Sequence, residues 1–234
     1  MAQDATREPV EDFREFGVLA FTTTRAAGSF NAATDEPVAA VMGRWNALRE
    51  SLLPVATRFA TSKQVHGSGV ISHDGEWEGW LRAPDADGHF ALARGTAMGV
   101  TIADCVPVFL AHPSGACALL HSGWRGTVAR IAARGVREFE RSGLSASDLR
   151  CHLGPAICGA CYEVSADVYV QLTGETSDDP GRVDLRAVIA RHVRALGVRH
   201  VSSSNWCTRC DGDRFFSHRA GDEGRQVAVM LAAR

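Results

Sequence analysis

The chain has 234 residues, 45% of them apolar and 22% charged, with a formal net charge of −2. That length and apolar share predict one domain with a sizeable core, and charges of both signs interspersed exclude a basic field for nucleic acid or an anionic membrane surface. The longest apolar run, residues 105–111, carries a proline and is about a third of the roughly 20 residues a bilayer span needs, so the composition points to a cytoplasmic protein that meets a small neutral or anionic molecule.

Residues 1–16 start acidic and polar, without the basic and then apolar pattern of a signal peptide, and read as a flexible tail before a domain over 17–234. Strand-like runs follow at 18–22, 58–65, 70–72, 106–111, 116–121, 149–153, 198–202 and 226–231. Helical spacing falls at 38–53, with Pro54 as the stop, and at 127–142, where Val128, Ile131, Ala132, Val136 and Phe139 form the stripe before Gly143. A third helix spans 184–196, with Asp184 as its cap, an apolar face of Leu185, Val188, Ile189, Val193 and Leu196, and Gly197 as its terminator. The runs at 106–111 and 116–121 are joined by the short turn 112–115, so strands come in adjacent pairs and not in strict alternation with helices. The predicted fold is α+β, with mixed β-sheets flanked by helices in one layered domain, and 176–180 and 211–213 as surface loops.

Three segments carry the chemistry: Gln64-Val65-His66-Gly67, Ala103-Asp104-Cys105-Val106-Pro107 and His121-Ser122-Gly123-Trp124-Arg125-Gly126. Two imidazoles and a thiolate form a three-ligand zinc set with a fourth position open to water or substrate, the pattern of a catalytic site and not a structural one. Cys105 and His121 lie at matching ends of neighbouring strands, so they also suit a thiolate nucleophile with a histidine base. Taken singly, Cys105 reads equally as a small buried hydrophobe and His66 as a turn residue. Asp104 needs a partner at a strand start, and a metal site supplies one. A helix opening at Thr127 would offer free N–H groups to an anion, with Arg125 adding a planar donor fork and Trp124 a stacking face or a hydrophobic anchor.

The seven cysteines include two Cys-x-x-Cys pairs, Cys158/Cys161 and Cys207/Cys210. Each pair has zinc-knuckle spacing, but about 45 residues and a whole helix separate them, so the expectation is reduced cysteines in mostly structural roles. Arg25, Arg219 and Arg225 could face a ligand or solvent.

Together with Thr101-Ile102, Leu153-Gly154-Pro155-Ala156-Ile157, Cys161-Tyr162-Glu163-Val164 and Phe215-Phe216-Ser217-His218-Arg219, these segments resemble the YfiH/laccase-domain family, in its motif order from about Val18 to the end. The resemblance implies a single-domain α+β fold, also seen in a bacterial deamidating toxin, and a zinc site of His66, Cys105 and His121. It implies phosphorolysis of adenosine, inosine, guanosine and methylthioadenosine, and deamination of adenosine. Some bacterial members are instead linked to editing of peptidoglycan precursors. The sequence departs from the family at Ala27, where a glycine is usual, at His218, where a tyrosine is usual, and over residues 86–90.

The expected reaction is therefore zinc-dependent, with nucleoside and phosphate as partners and Arg125, Arg25 and the N–H groups near Gly126 holding the phosphate. Asp104 would orient a ligand or shuttle a proton beside Cys105. Copper also suits two imidazoles and a thiolate, which keeps a polyphenol oxidase as a rival, with His73, His89 and His112 as its only supplementary ligands. A metal-free Cys105–His121 amidohydrolase and a non-catalytic zinc-stabilised protein complete the alternatives. A homodimer is allowed, although no self-complementary face is visible.

Overall fold

The computed structural model describes residues 5–233. Its first sheet runs β1 (Arg7–Pro9), β2 (Val18–Thr23), β14 (Gln226–Ala232), β7 (Thr96–Ile102), β3 (Arg58–Ser62), β5 (Gly79–Ala83). Its second runs β13 (His200–Ser203), β10 (Arg150–Leu153), β8 (Val106–Ala111), β9 (Cys117–Ser122), β6 (Gly88–Ala91), β4 (Val70–His73). Both sheets mix parallel and antiparallel neighbours, as at β3/β7 and β2/β14 in the first. A small ribbon pairs β11 (Glu163–Val164) with β12 (Gly181–Arg182).

The two sheets stack, and the alternation of side chains along each strand produces three apolar clusters. Ala228, Met230, Met98 and Val100 of the first sheet meet Phe109, Ala111, Cys117 and Leu119 of the second. The opposite face of β14, with Val227, Val229 and Leu231, packs on α1 (Val38–Leu52) through Val41, Trp45 and Leu48. On the far side, Val108, Leu110, Ala118 and Leu120 receive α3 (Ile131–Arg141) and α5 (Leu185–Arg194), with α2 (Trp124–Val128) and α4 (Ala166–Thr173) beside them. The result is a four-layer α/β/β/α sandwich. Strands covered on both faces read as near-continuous apolar runs, and each residue of β8, β9 and β14 is buried, with His121, Ser122 and Gln226 as the polar exceptions at the strand ends.

Several expectations change. The stretch expected to be a flexible tail is ordered from Arg7 onward: β1 pairs with β2, and a 3-10 turn over Glu11–Phe16 buries Phe13 completely. Residues 1–4 lie outside the described part. The helix expected at 127–142 is two helices, because Arg130 takes a left-handed conformation at φ 56° between α2 and α3. The α5 cap agrees with the sequence reading, Asp184 accepting from the Arg186 N–H. Among the described residues no helix is long and apolar enough to cross a membrane.

Candidate metal centre

The chain passes from the first sheet to the second between β7 and β8, and Cys105 sits in that crossing. His66 lies in the loop after β3, and His121 is on β9 next to β8. One ligand atom from each of His66, Cys105 and His121 lies within 4.8 Å of the others, and the two imidazoles meet edge to face at 4.9 Å.

Asp87, just before β6 and fully buried, organises the group. Its carboxylate accepts from the backbone N–H of Val65 (3.2 Å), His66 (2.9 Å) and Gly67 (2.7 Å), which curls the His66 loop around one anion with His66 at φ 58°. The same carboxylate lies 2.9 Å from His121 Nδ1, and the Asp87 carbonyl accepts from the His121 N–H. With Nδ1 engaged, Nε2 is the nitrogen His121 has left for a ligand. Gln64 fastens the other side of the loop, exchanging three hydrogen bonds of 2.8 Å with Thr101 on β7. Neither clamp is legible as a motif, since Asp87 is 20 to 34 residues from the groups it holds.

The electrostatics follow from that geometry. Burial alone would push the Cys105 thiol up, yet the charge and hydrogen bonding of His121, then of His66, bring it down to about 6. Burial works the other way on His121, and the Cys105 thiolate with Asp87 raises it to about 9. Asp87 is held below the ordinary carboxylate range against its own burial, by His121 and the N–H groups of Gly67 and Val65. Both shifts favour a thiolate on Cys105 and a proton on His121, backed by the Asp87 carboxylate.

These donors fit a soft or borderline divalent ion. Two nitrogens and a thiolate converge, a carboxylate orients one imidazole from behind, and space is kept open by Gly123, where a Cβ would sit 2.9 Å from Cys105 Sγ. His66, Cys105 and His121 all line a cavity of about 750 Å³. Phe30, Trp45 and Trp80 wall it, with Trp45 and Trp80 centred 5.5 Å apart, and Arg82, Arg225 and His218 are its other lining groups of note.

The remaining predicted residues are placed differently. Arg25 is spent on structure: Nε donates to the Gly212 carbonyl, Nη2 to the Phe215 carbonyl and Asp222, and the guanidinium stacks 4.3 Å over Phe216. Arg125 is exposed, stacked at 4.3 Å over Trp124, and does not line the cavity. The helix behind His121 begins at Trp124, not Thr127, and has five residues. Gly126 marks a close approach to the His66 loop, a Cβ there lying 3.0 Å from the Gly67 carbonyl oxygen. Asp104, at φ 82°, accepts from Thr208 Oγ1 (2.6 Å) and the Arg219 N–H (2.7 Å), so its carboxylate pins the turn that presents Cys105. Arg219 donates to the Glu163 carbonyl and stacks on Tyr162. His73 bonds His89, which bonds Ser62, in the interior, and His112 turns to Ser114, so none supplements the site.

A family model described as multi-copper polyphenol oxidoreductase laccase matches residues 17–233. A relative from Streptomyces griseus named purine nucleoside phosphorylase ORF3 is 34% identical over 207 residues, covering 85% of this chain and 84% of its own. A protein from an unknown prokaryotic organism named adenosine deaminase RL5 is 36% identical over 140 residues, covering 54% of this chain and 53% of its own. The crystal structure of YlmD from Geobacillus stearothermophilus superposes with a TM-score of 0.86 at 28% identity, covering 94% of each chain.

Proposed function

Because the chain belongs to the multi-copper polyphenol oxidoreductase laccase family, we propose that it is a metal-dependent purine nucleoside enzyme, cleaving adenosine, inosine, guanosine and methylthioadenosine with phosphate and deaminating adenosine. The observation that carries this reading is the convergence of His66, Cys105 and His121 in the lining of an aromatic-walled cavity of about 750 Å³. Relatives bearing phosphorylase and deaminase names support the substrate class.

His66, Cys105 and His121 would hold one zinc ion, which as a Lewis acid polarises a substrate atom or lowers the pKa of a coordinated water. The chain's own residues do the rest. Half-buried Trp80, backed by the buried Phe30 and Trp45, gives the cavity an apolar aromatic wall against which a purine would pack. Arg82 and Arg225 are the cavity's arginines, and this reading gives them the phosphate, with Arg225 Nη1 held by the carbonyls of Asp222, Glu223 and Gly224. Holding the anion in line with the sugar carbon replaces a bimolecular encounter by a positioned one. Asp87 keeps the His121 proton on Nδ1 and so preserves the direction of Nε2.

The copper oxidase reading needs several clustered centres. Among the described residues the only other group of three or more convergent ligands is made of cysteines alone. The metal-free amidohydrolase retains one specific support, the thiolate–imidazolium pairing of Cys105 with His121.

Incubation of purified protein with adenosine, with and without phosphate, separates these readings. Ribose 1-phosphate and adenine are expected with phosphate and inosine without it, both lost in His66→Ala. No product from adenosine, inosine or guanosine at high enzyme concentration would reject the nucleoside reading.

A further inference from the structure

The two Cys-x-x-Cys pairs, far apart in sequence, are neighbours in the fold. β10 and β13 lie side by side and parallel, with Leu153 opposite Ser203, so the loops that follow them leave the same end of the sheet. A further bridge pairs Ala156 with Cys207, and the four sulfurs of Cys158, Cys161, Cys207 and Cys210 lie within 4.8 Å of one another. The 45-residue separation that argues against a zinc ribbon in the sequence is taken up by α4, α5 and the β11/β12 ribbon. All four residues are free thiols.

The spacing selects a single ion. Four sulfurs at about 2.3 Å from zinc stand about 3.8 Å apart along the edges of a tetrahedron. The Cys161 and Cys210 sulfurs are 3.4 Å apart, so small side-chain adjustments are enough to close the cage. The local backbone is that of two metal-binding knuckles. Cys161 N–H and Tyr162 N–H both turn back to the Cys158 carbonyl, and Asp211 N–H to the Cys207 carbonyl. Two N–H groups, from Cys158 (3.2 Å) and Cys210 (3.4 Å), point at Cys207 Sγ, which favours a charged sulfur there. A free thiol gains little from two such donors, and a metal-bound thiolate is the acceptor they suit.

We propose that Cys158, Cys161, Cys207 and Cys210 bind one zinc ion in a tetrathiolate site, separate from the His66–Cys105–His121 centre. Four protein ligands leave no open position, so this ion is structural. Its place explains what it secures. Thr208, inside the second knuckle, donates to Asp104, and Ile157, beside the first, donates its N–H to the Asp104 carbonyl at 3.1 Å. The ion therefore locks together the two loops that hold the turn presenting Cys105. This inference stands whatever reaction the cavity performs.

Metal content of the full chain, purified under reducing conditions without added metal, tests it. Two zinc ions per chain are expected, falling to one in Cys158→Ser/Cys207→Ser and to one in His66→Ala/His121→Ala. The histidine variant loaded with cobalt should show the intense visible and charge-transfer absorption of tetrahedral thiolate coordination. If the cysteine variant does not fold, alkylation of the wild-type chain decides. Cys158, Cys161 and Cys210 are at least partly exposed, so they label freely unless an ion holds them. Labelling should be blocked until a chelator is added. One zinc per chain that disappears in the histidine variant would overturn the proposal. So would free labelling of the metal-loaded chain, or a mass two hydrogens short for each disulfide formed within the cluster.

Discussion

Asp87 shows how far a single side chain can set a centre it does not join. Its carboxylate gathers three backbone N–H groups from the His66 loop and the His121 imidazole, so both histidines are positioned by one buried anion. Asp87→Asn keeps the size but loses the charge, and a cost on the order of 3 kcal/mol is expected from a buried pair broken on one side. The pH dependence has a definite sign. The folded carboxyl titrates below its ordinary value, so its stabilisation is fully present above the unfolded pKa near ~4 and is lost as the pH falls through the lower folded value. Denaturant titrations of the metal-free proteins should therefore show the wild type and Asp87→Asn furthest apart at neutral pH and converging in acid. An equal gap at every pH would mean that the charge of Asp87 contributes nothing.

At the scale of elements, the sequence is readable where a strand or helix declares itself through its own side chains. The apolar runs of β8, β9 and β14 and the stripe of α5 do so, because each is buried by what lies next to it in a regular pattern. β6 does not. It holds four residues, and its His89 is buried by pairing with His73 and Ser62, so polarity in the sequence hides a core strand. The candidate ligands His66, Cys105 and His121 are visible as motifs, whereas Asp87 and the convergence of the four cysteines depend on which strands become neighbours. Arginines show the same limit. Arg25 and Arg225 look alike in sequence, yet Arg25 ties the 212–222 loop through three hydrogen bonds while Arg225 lines the cavity. Arg25→Ala should cost about 1–3 kcal/mol of stability, from lost charged hydrogen bonds, with the KM for phosphate unchanged. Under the proposed phosphorolysis, Arg225→Ala should raise that KM about tenfold or more and cost less stability than Arg25→Ala, because its Nη1 reaches only carbonyls one to three residues away. Steady-state kinetics beside thermal melts distinguish the two, and the opposite assignment of effects would return the phosphate to Arg25.

Across the whole molecule, the segment before Gly17 is where the sequence misleads most, and the reason is geometric. Read alone, 1–16 is polar, and its few apolar residues follow no period. In the fold, Val10 and Phe13 fill the inter-sheet cluster, so their burial comes from contacts made by sheets elsewhere in the chain. The same segment then reaches both sheets. β1 extends the first sheet beside β2, while the Asp12 carbonyl accepts from Arg150 Nη1 at 2.9 Å and the Asp12 carboxylate from Ser202, on β10 and β13 of the second. A segment that bridges two stacked sheets and closes the core between them is part of the cooperative unit. Phe13→Ala should therefore lower unfolding free energy by about 3–5 kcal/mol, the range for emptying a buried aromatic site. The denaturant slope should stay at its wild-type value, because the same surface is still exposed on unfolding. A variant within about 0.5 kcal/mol of wild type is what a surface position would give, and it would detach this segment from the core.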